Sequence, residues 1–222
     1  ALVVRGVELA RPPVGTLPEA VSVLVWALVL LTLWAERRFG VKVLSAFVLP
    51  VVLSFGLSTV TVPGGLRDLA PALRSAWILV HTVLALLGIA AFVLNFAGGL
   101  MYLLQERQLK SKRPGAFYYR LPSLETLDRM TFQALTFGFP FLTAGLILGV
   151  AWAGAAWGSV FTFDPLSLFS FVAWLIYAAT LSGRVVAGWR GRRAAYFALV
   201  GFAALVLTLG AGFLLPGRHG GS

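Results

Sequence analysis

The chain has 222 residues, of which 59% are hydrophobic and only 12% are charged, and its mean hydropathy is +0.89. Too few polar residues remain to cover a water-soluble globule, so the composition predicts an integral membrane protein. The sequence contains no cysteine, which excludes disulfides, thiol redox chemistry and cysteine metal sites. The net charge of +10 comes from basic residues clustered in short loops between apolar runs, so we interpret it as a topology signal and not as a nucleic-acid surface.

Long, continuous apolar runs without period-two alternation predict helices and not strands. Six complete spans are predicted, at residues 20–35, 41–60, 76–105, 130–152, 166–184 and 194–215. Residues 1–4 have the character of the end of an earlier apolar span, so we expect a truncated N-terminal helix before them. The predicted fold class is therefore all-α, a polytopic transmembrane helix bundle. We expect a single domain over residues 1–222, with seven or eight helices in the full protein.

Lys and Arg are distributed unequally between alternate loops. The loops at 36–42, 106–129 and 184–193 hold 13 of the 18 basic residues. By the positive-inside rule this set of loops faces the cytoplasm. We therefore expect a multi-pass protein of a bacterial cytoplasmic (inner) membrane, with the 106–129 loop cytoplasmic and the 153–166 loop and the C-terminus external.

Only two histidines occur, and the predicted topology places both on the external side. His81 lies five residues into the third span, and His219 follows the end of the last span. Two neutral imidazoles from different helices can form the axial ligand pair of a haem iron. The alternatives are a hydrogen bond to a neighbouring helix for His81 and a disordered tail for His219.

An aromatic stretch, residues 157–174, connects the fourth and fifth spans on that same side. Aromatic rings can cover the faces of a haem. Asp164 is the single acid of the connection, and it can orient a ligand, bind indole N–H groups or cap the fifth span. An interfacial aromatic belt and an ordinary helix start are the alternative interpretations. The aromatic side chains concerned are Trp157, Phe161, Phe163, Phe169 and Trp174.

Several fragments resemble the CcsA/HemX-type cytochrome c assembly proteins, in the same order and spacing over nearly the whole chain. They are RLPSLETLD at 120–128, GFPFLTAGLILG at 138–149, WAGAAWG at 152–158, DP at 164–165, WLIYA at 174–178 and GWRGRRAA at 188–195. That family presents haem at an external tryptophan-rich segment flanked by two external histidines. The resemblance implies that His81 and His219 are the axial ligands of the iron. It also implies that the haem, expected to be haem b, lies among Trp157, Phe161, Phe163, Asp164 and Trp174.

The sequence departs from the family pattern at three places. Phenylalanine stands at 161, 163 and 169 where tryptophan is usual, and Leu-Ser at 166–167 replaces a Lys-Glu pair. Ser182 stands where the family has a histidine within the membrane. These departures favour the smaller HemX-like branch, whose members are linked to haem biosynthesis or haem handling.

The leading hypothesis is a haem-binding or haem-translocating membrane protein of the cytochrome c biogenesis type. Its expected partners are haem, a cytochrome c assembly subunit, apocytochrome c and the lipid bilayer, with no nucleic acid. The alternative is a HemX-like membrane regulator that controls a tetrapyrrole-biosynthesis enzyme, glutamyl-tRNA reductase, through the 106–129 loop without haem transport. A small-solute transporter that depends on Asn95 and Pro50 is a third hypothesis. An enzyme is the least favoured, because the sequence has no evident nucleophile–base or carboxylate pair.

Overall fold

The computed structural model describes residues 17–61, 76–111, 119–157 and 165–214. These residues are mostly helical, and no strand occurs among them, which confirms the all-α prediction. The helices are α1 (Leu17–Phe39), α2 (Leu44–Thr61), α3 (Ala76–Lys110), α4 (Leu124–Trp157), α5 (Pro165–Val185) and α6 (Arg192–Leu214). Residues 1–4, where the end of an earlier helix is expected, lie outside the described residues.

Five of the described helices are long and apolar enough to cross a membrane. The remaining helix, α2 (Leu44–Thr61), nearly matches the predicted span at 41–60, and its described segment Leu44–Leu57 is apolar. Pro50 lies inside this helix, as the sequence indicates. The described part of the chain therefore supports a multi-pass membrane protein.

Two helices extend further into polar sequence than their apolar spans predicted. α4 begins at Leu124, because the Ser123 hydroxyl caps it by accepting a hydrogen bond from the Thr126 amide at 3.3 Å. α3 continues to Lys110, and a 2.6 Å ion pair between Lys110 and Glu106 joins successive turns of its last segment. Hydropathy marks the part of a helix that lies in lipid, and these polar ends project beyond it.

The central helix of the bundle is α3, which packs against α4 along most of its length and also contacts α1 and α6. Residues 90–95 are all buried, so neighbours surround the helix at this level. Small residues permit the close approach: a Cβ added at Gly98 would lie 2.6 Å from the Thr131 side chain of α4. One added at Gly99 would lie 3.0 Å from the Cβ of Ala198 on α6. The missing side chains of this glycine pair therefore allow α4 and α6 to approach α3 closely.

Successive helices run in alternate directions, so the charged helix ends meet at one end of the bundle. We call this the basic end and define it by residues 102–110, 124–131 and 184–193. An ion pair of 3.0 Å joins Arg184 of α5 to Asp128 of α4, and the Asp128 carboxylate also accepts a hydrogen bond from the Gly191 amide at 3.0 Å. Val41 and Leu44 share a buried cluster with residues of this end, which places the α1–α2 turn there as well. The described parts of the three basic loops therefore lie together, as the charge count predicts.

Candidate functional site

His81 lies near the start of α3, at the end of the bundle opposite the basic end. Its Nδ1 atom is 2.7 Å from the carbonyl oxygen of Gly145 on α4. A carbonyl can only accept, so Nδ1 carries the hydrogen and donates it. In the neutral ring, Nε2 then carries the lone pair, which is the atom that binds a metal. The helix-to-helix hydrogen bond is thus compatible with metal ligation and also selects the tautomer that ligation needs.

Gly149 of α4 forms the surface on which the His81 ring rests, and the carbonyl of Gly145 accepts the ring's hydrogen bond. Gly145 and Gly149 are four residues apart and therefore lie on one face of the helix, about one turn from each other. A Cβ added at Gly149 would lie 2.8 Å from Cε1 of His81 and 3.0 Å from Nδ1. The imidazole thus occupies the space that a side chain at 149 would need. Its orientation is set by the backbone of α4.

Trp174 of α5 is also fixed against α4. Its indole Nε1 donates a hydrogen bond to the Thr143 hydroxyl at 3.0 Å, and that hydroxyl donates to the Phe139 carbonyl at 2.8 Å. The indole stacks on Phe139 and on Phe171, with ring centroids 5.9 Å and 5.8 Å apart. The ring is therefore an ordered, half-buried aromatic surface whose N–H donor is already used within the bundle.

His81 and Trp174 contact different faces of α4. Their partners on that helix, Gly145 and Thr143, are two residues apart, which corresponds to about 200° of rotation and a rise of about 3 Å. The two side chains therefore lie at a similar level along α4 but on nearly opposite sides of it. The structure does not bring them together within the described residues.

The imidazole of His81 suits a metal group that needs only one ligand from this helix. No group of three His, Cys, Asp or Glu side chains that could hold a metal ion occurs within the described ranges. A haem iron is already held by four porphyrin nitrogens and needs only axial ligands, such as a single imidazole from each side. His81, with its tautomer set by Gly145 and apolar helices around it, fits that requirement.

Comparison with known proteins places the chain in a family. A model described as cytochrome c assembly protein matches residues 14–219, which is most of the sequence. The chain belongs to this family.

Relatives within the cytochrome c assembly family match nearly the whole chain. The cytochrome c biogenesis protein CcsA of Prochlorococcus marinus is 32% identical, over 98% of this chain and 78% of the relative. The protein of the same name from Guillardia theta is 30% identical, over 97% of this chain and 78% of the relative. That from Parasynechococcus marenigrum is 32% identical, over 98% and 80%. The resemblance inferred from the sequence fragments is confirmed.

The structure describes only part of the predicted haem site of this family member. His81 and Trp174 are described in full, and Trp157 is the last residue of α4, but its side chain lies outside the description. Phe161, Phe163, Asp164 and His219 fall outside the described residues. Ser182 is exposed on α5.

Sequence reasoning did not identify the residues that hold the two described site side chains. Gly145 and Gly149 form a Gly-x-x-x-Gly pair, the pattern of closely packed membrane helices, and this signal could have marked them. Thr143 offers no comparable signal, because threonines in membrane helices commonly bond to their own helix carbonyls.

Proposed function

We propose that this protein binds haem at the external membrane surface and presents it for cytochrome c assembly. His81 and His219 are the proposed axial ligands of the iron, with the 157–174 segment covering the haem. Trp157, Phe161 and Phe163 are the proposed aromatic walls, and Asp164 orients the ligands or the indole donors; Trp174, predicted as a wall, packs on another face of α4 than His81. When bound, haem would supply an iron that takes one imidazole nitrogen on each side.

The observation that carries this proposal is the hydrogen bond from His81 Nδ1 to the Gly145 carbonyl. It selects the tautomer in which Nε2 carries the lone pair, and Gly149 packs against the ring. Family membership over residues 14–219 supports the same role, because relatives are named as cytochrome c biogenesis proteins. The hydrogen bond concerns only the ligand on α3, and the proposal adds His219 as the second ligand.

The proposed role requires binding and release, with no covalent chemistry on this chain. We accordingly propose a carrier and not an enzyme, working with haem, apocytochrome c and a partner subunit of the assembly system. The proposed haem is haem b. In this arrangement the basic end faces the cytoplasm and the His81 end faces outward, in a bacterial inner membrane.

The test is the visible absorption spectrum of protein purified from haem-replete cells. The native protein is expected to show a Soret band, which His81→Ala and His219→Ala each weaken or shift. A colourless native protein that captures glutamyl-tRNA reductase from lysate would instead identify a regulator. A Soret band unchanged in both variants would refute the ligand assignment.

The proposed orientation has a separate test, which uses the absence of cysteine from the sequence. Single cysteines are introduced at Ser123, on the basic end, and at Ser159, in the 157–166 connection. A membrane-impermeant thiol reagent added outside intact cells is expected to label only the cysteine at 159. Labelling of the cysteine at 123 alone would show that the protein has the opposite orientation.

A further inference from the structure

A cavity lies between α1, α3 and α4, on the side of α3 where α1 packs. Its volume is about 340 Å³, more than twice the roughly 150 Å³ that holds one benzene ring in a protein core. The described residues that line it are almost entirely apolar, with Gln133 as the polar exception. They include Leu31, Trp34, Ala91, Leu94, Ala134 and Phe137.

The cavity adjoins a groove along α1 that ends in two arginines. The groove has a volume of about 390 Å³ and shares Trp34 with the cavity. Its lining residues recur three or four positions apart and so lie on one face of α1. They are Leu30, Leu33, Trp34, Arg37 and Arg38. An apolar space therefore leads to two positive charges at the basic end.

The acid beside these arginines is directed away from them. The Glu36 carboxylate accepts hydrogen bonds from both the amide and the hydroxyl of Ser45, in the first turn of α2. Within the described part of the chain, neither Arg37 nor Arg38 forms an ion pair; Arg38 lies over the Phe39 ring, 5.7 Å from its centroid. Among the described residues, the pair therefore has no anionic partner and can bind an anion from outside the chain.

We propose that this groove and cavity bind one anionic phospholipid. An acyl chain fills the cavity between α1 and α4, and the phosphate lies against Arg37 and Arg38. Basic pockets between membrane helices are typical sites for anionic headgroups. A haem fits less well here, since no imidazole is among the described lining residues. The site is separate from His81, which lies near the other end of α3.

The test is a lipid titration of the purified full chain, read by native mass spectrometry. Phosphatidylglycerol is compared with phosphatidylcholine of the same acyl chains. Near a membrane surface each arginine contributes roughly fivefold to anion affinity, so the pair favours phosphatidylglycerol by about 25-fold. The double variant Arg37→Gln/Arg38→Gln is expected to lose this preference, whereas Arg37→Lys/Arg38→Lys retains most of it.

Two matched controls separate this site from general charge and from the surrounding lipid. Arg190→Gln/Arg193→Gln removes the same charge from exposed positions at the basic end and is expected to leave the preference intact. Ala134→Trp fills the cavity and is expected to weaken binding of both lipids. Leu207→Trp, on the exposed face of α6, is expected to change neither.

Several results would overturn the proposal. Equal affinity for the two lipids would show that the arginines do not bind the headgroup. An equal loss of the preference in both glutamine variants would show that it depends on overall charge and not on this pair. Unchanged binding in the Ala134→Trp protein would show that no acyl chain enters the cavity. Haem, or a second copy of the chain, retained at this face in place of lipid would assign the groove to another occupant.

Discussion

Adding one methyl group at Gly149 tests whether α4 positions the His81 ring. The Cβ of Gly149→Ala would lie 2.8 Å from Cε1 of His81 and 3.0 Å from Nδ1, well inside normal carbon contact distance. Either the ring turns, or α3 and α4 separate. In both cases the 2.7 Å hydrogen bond from Nδ1 to the Gly145 carbonyl is lengthened or lost. The substitution is therefore expected to displace the His81 imidazole while leaving it in the protein.

The expected effect of Gly149→Ala has two parts, a change in the free energy of unfolding and a change in haem affinity. Two opposing contributions determine the first. Overpacking of a well-packed interior costs about 1–3 kcal/mol. Replacing glycine by alanine within a helix returns up to about 1 kcal/mol. The net change in the free energy of unfolding is therefore small, about 1 kcal/mol of destabilisation. Loss of a hydrogen bond that orients a metal-binding histidine typically lowers affinity by about 10–100-fold. Haem affinity should thus fall much further than stability.

The assay is haem titration followed by the Soret band, with thermal unfolding of each protein measured alongside. Gly210→Ala is the matched control, because a Cβ at that position of α6 meets nothing within 4 Å. It should leave haem affinity unchanged and the unfolding temperature unchanged or slightly raised. Native haem affinity in a folded Gly149→Ala protein would refute the positioning role of α4.

Two further predictions concern contacts made by α4. Asp128→Asn removes the charge that pairs with Arg184, whose side chain is only 4% exposed, so it should destabilise the protein by about 3 kcal/mol in unfolding titrations. Glu125→Gln makes the same charge change at the exposed pair with Arg129 and should lower the free energy of unfolding by less than about 1 kcal/mol. Equal losses of stability in the two variants would contradict the argument that burial makes the Asp128 pair matter more. A double-mutant cycle of Trp174→Phe and Thr143→Val should give a coupling energy of about 1 kcal/mol for the indole hydrogen bond, and a coupling of zero would show that stacking alone holds the ring.

The helices were predictable because lipid imposes a strong rule on sequence. A span must be long, apolar and helical, since its backbone groups find no water. Hydropathy therefore located α1, α3, α4, α5 and α6. Hydropathy does not mark the polar extension of α4 to Leu124; there the Pro-Ser pair at 122–123 indicates the helix start, and the Ser123 hydroxyl caps it.

The candidate site was only partly predictable. The sequence identified His81 as an ionisable group within a span, and the family resemblance supplied its proposed role. Its partner, Gly145, is 64 residues away, and no local pattern pairs these two positions. The placement of Trp174 on another face of α4 likewise depends on how α5 packs. Asp128 resembles an ordinary acid in the first part of a helix, and only the structure reveals its pairing with Arg184.

Restoring the missing imidazole from solution tests the central claim, that His81 ligates haem, most directly. His81→Gly removes the side chain and leaves a space beside Gly145 and Gly149 that free imidazole can enter. The account predicts a weakened or shifted Soret band in this variant and a return to the native spectrum when imidazole is added. A native spectrum in the His81→Gly protein without imidazole would contradict the account.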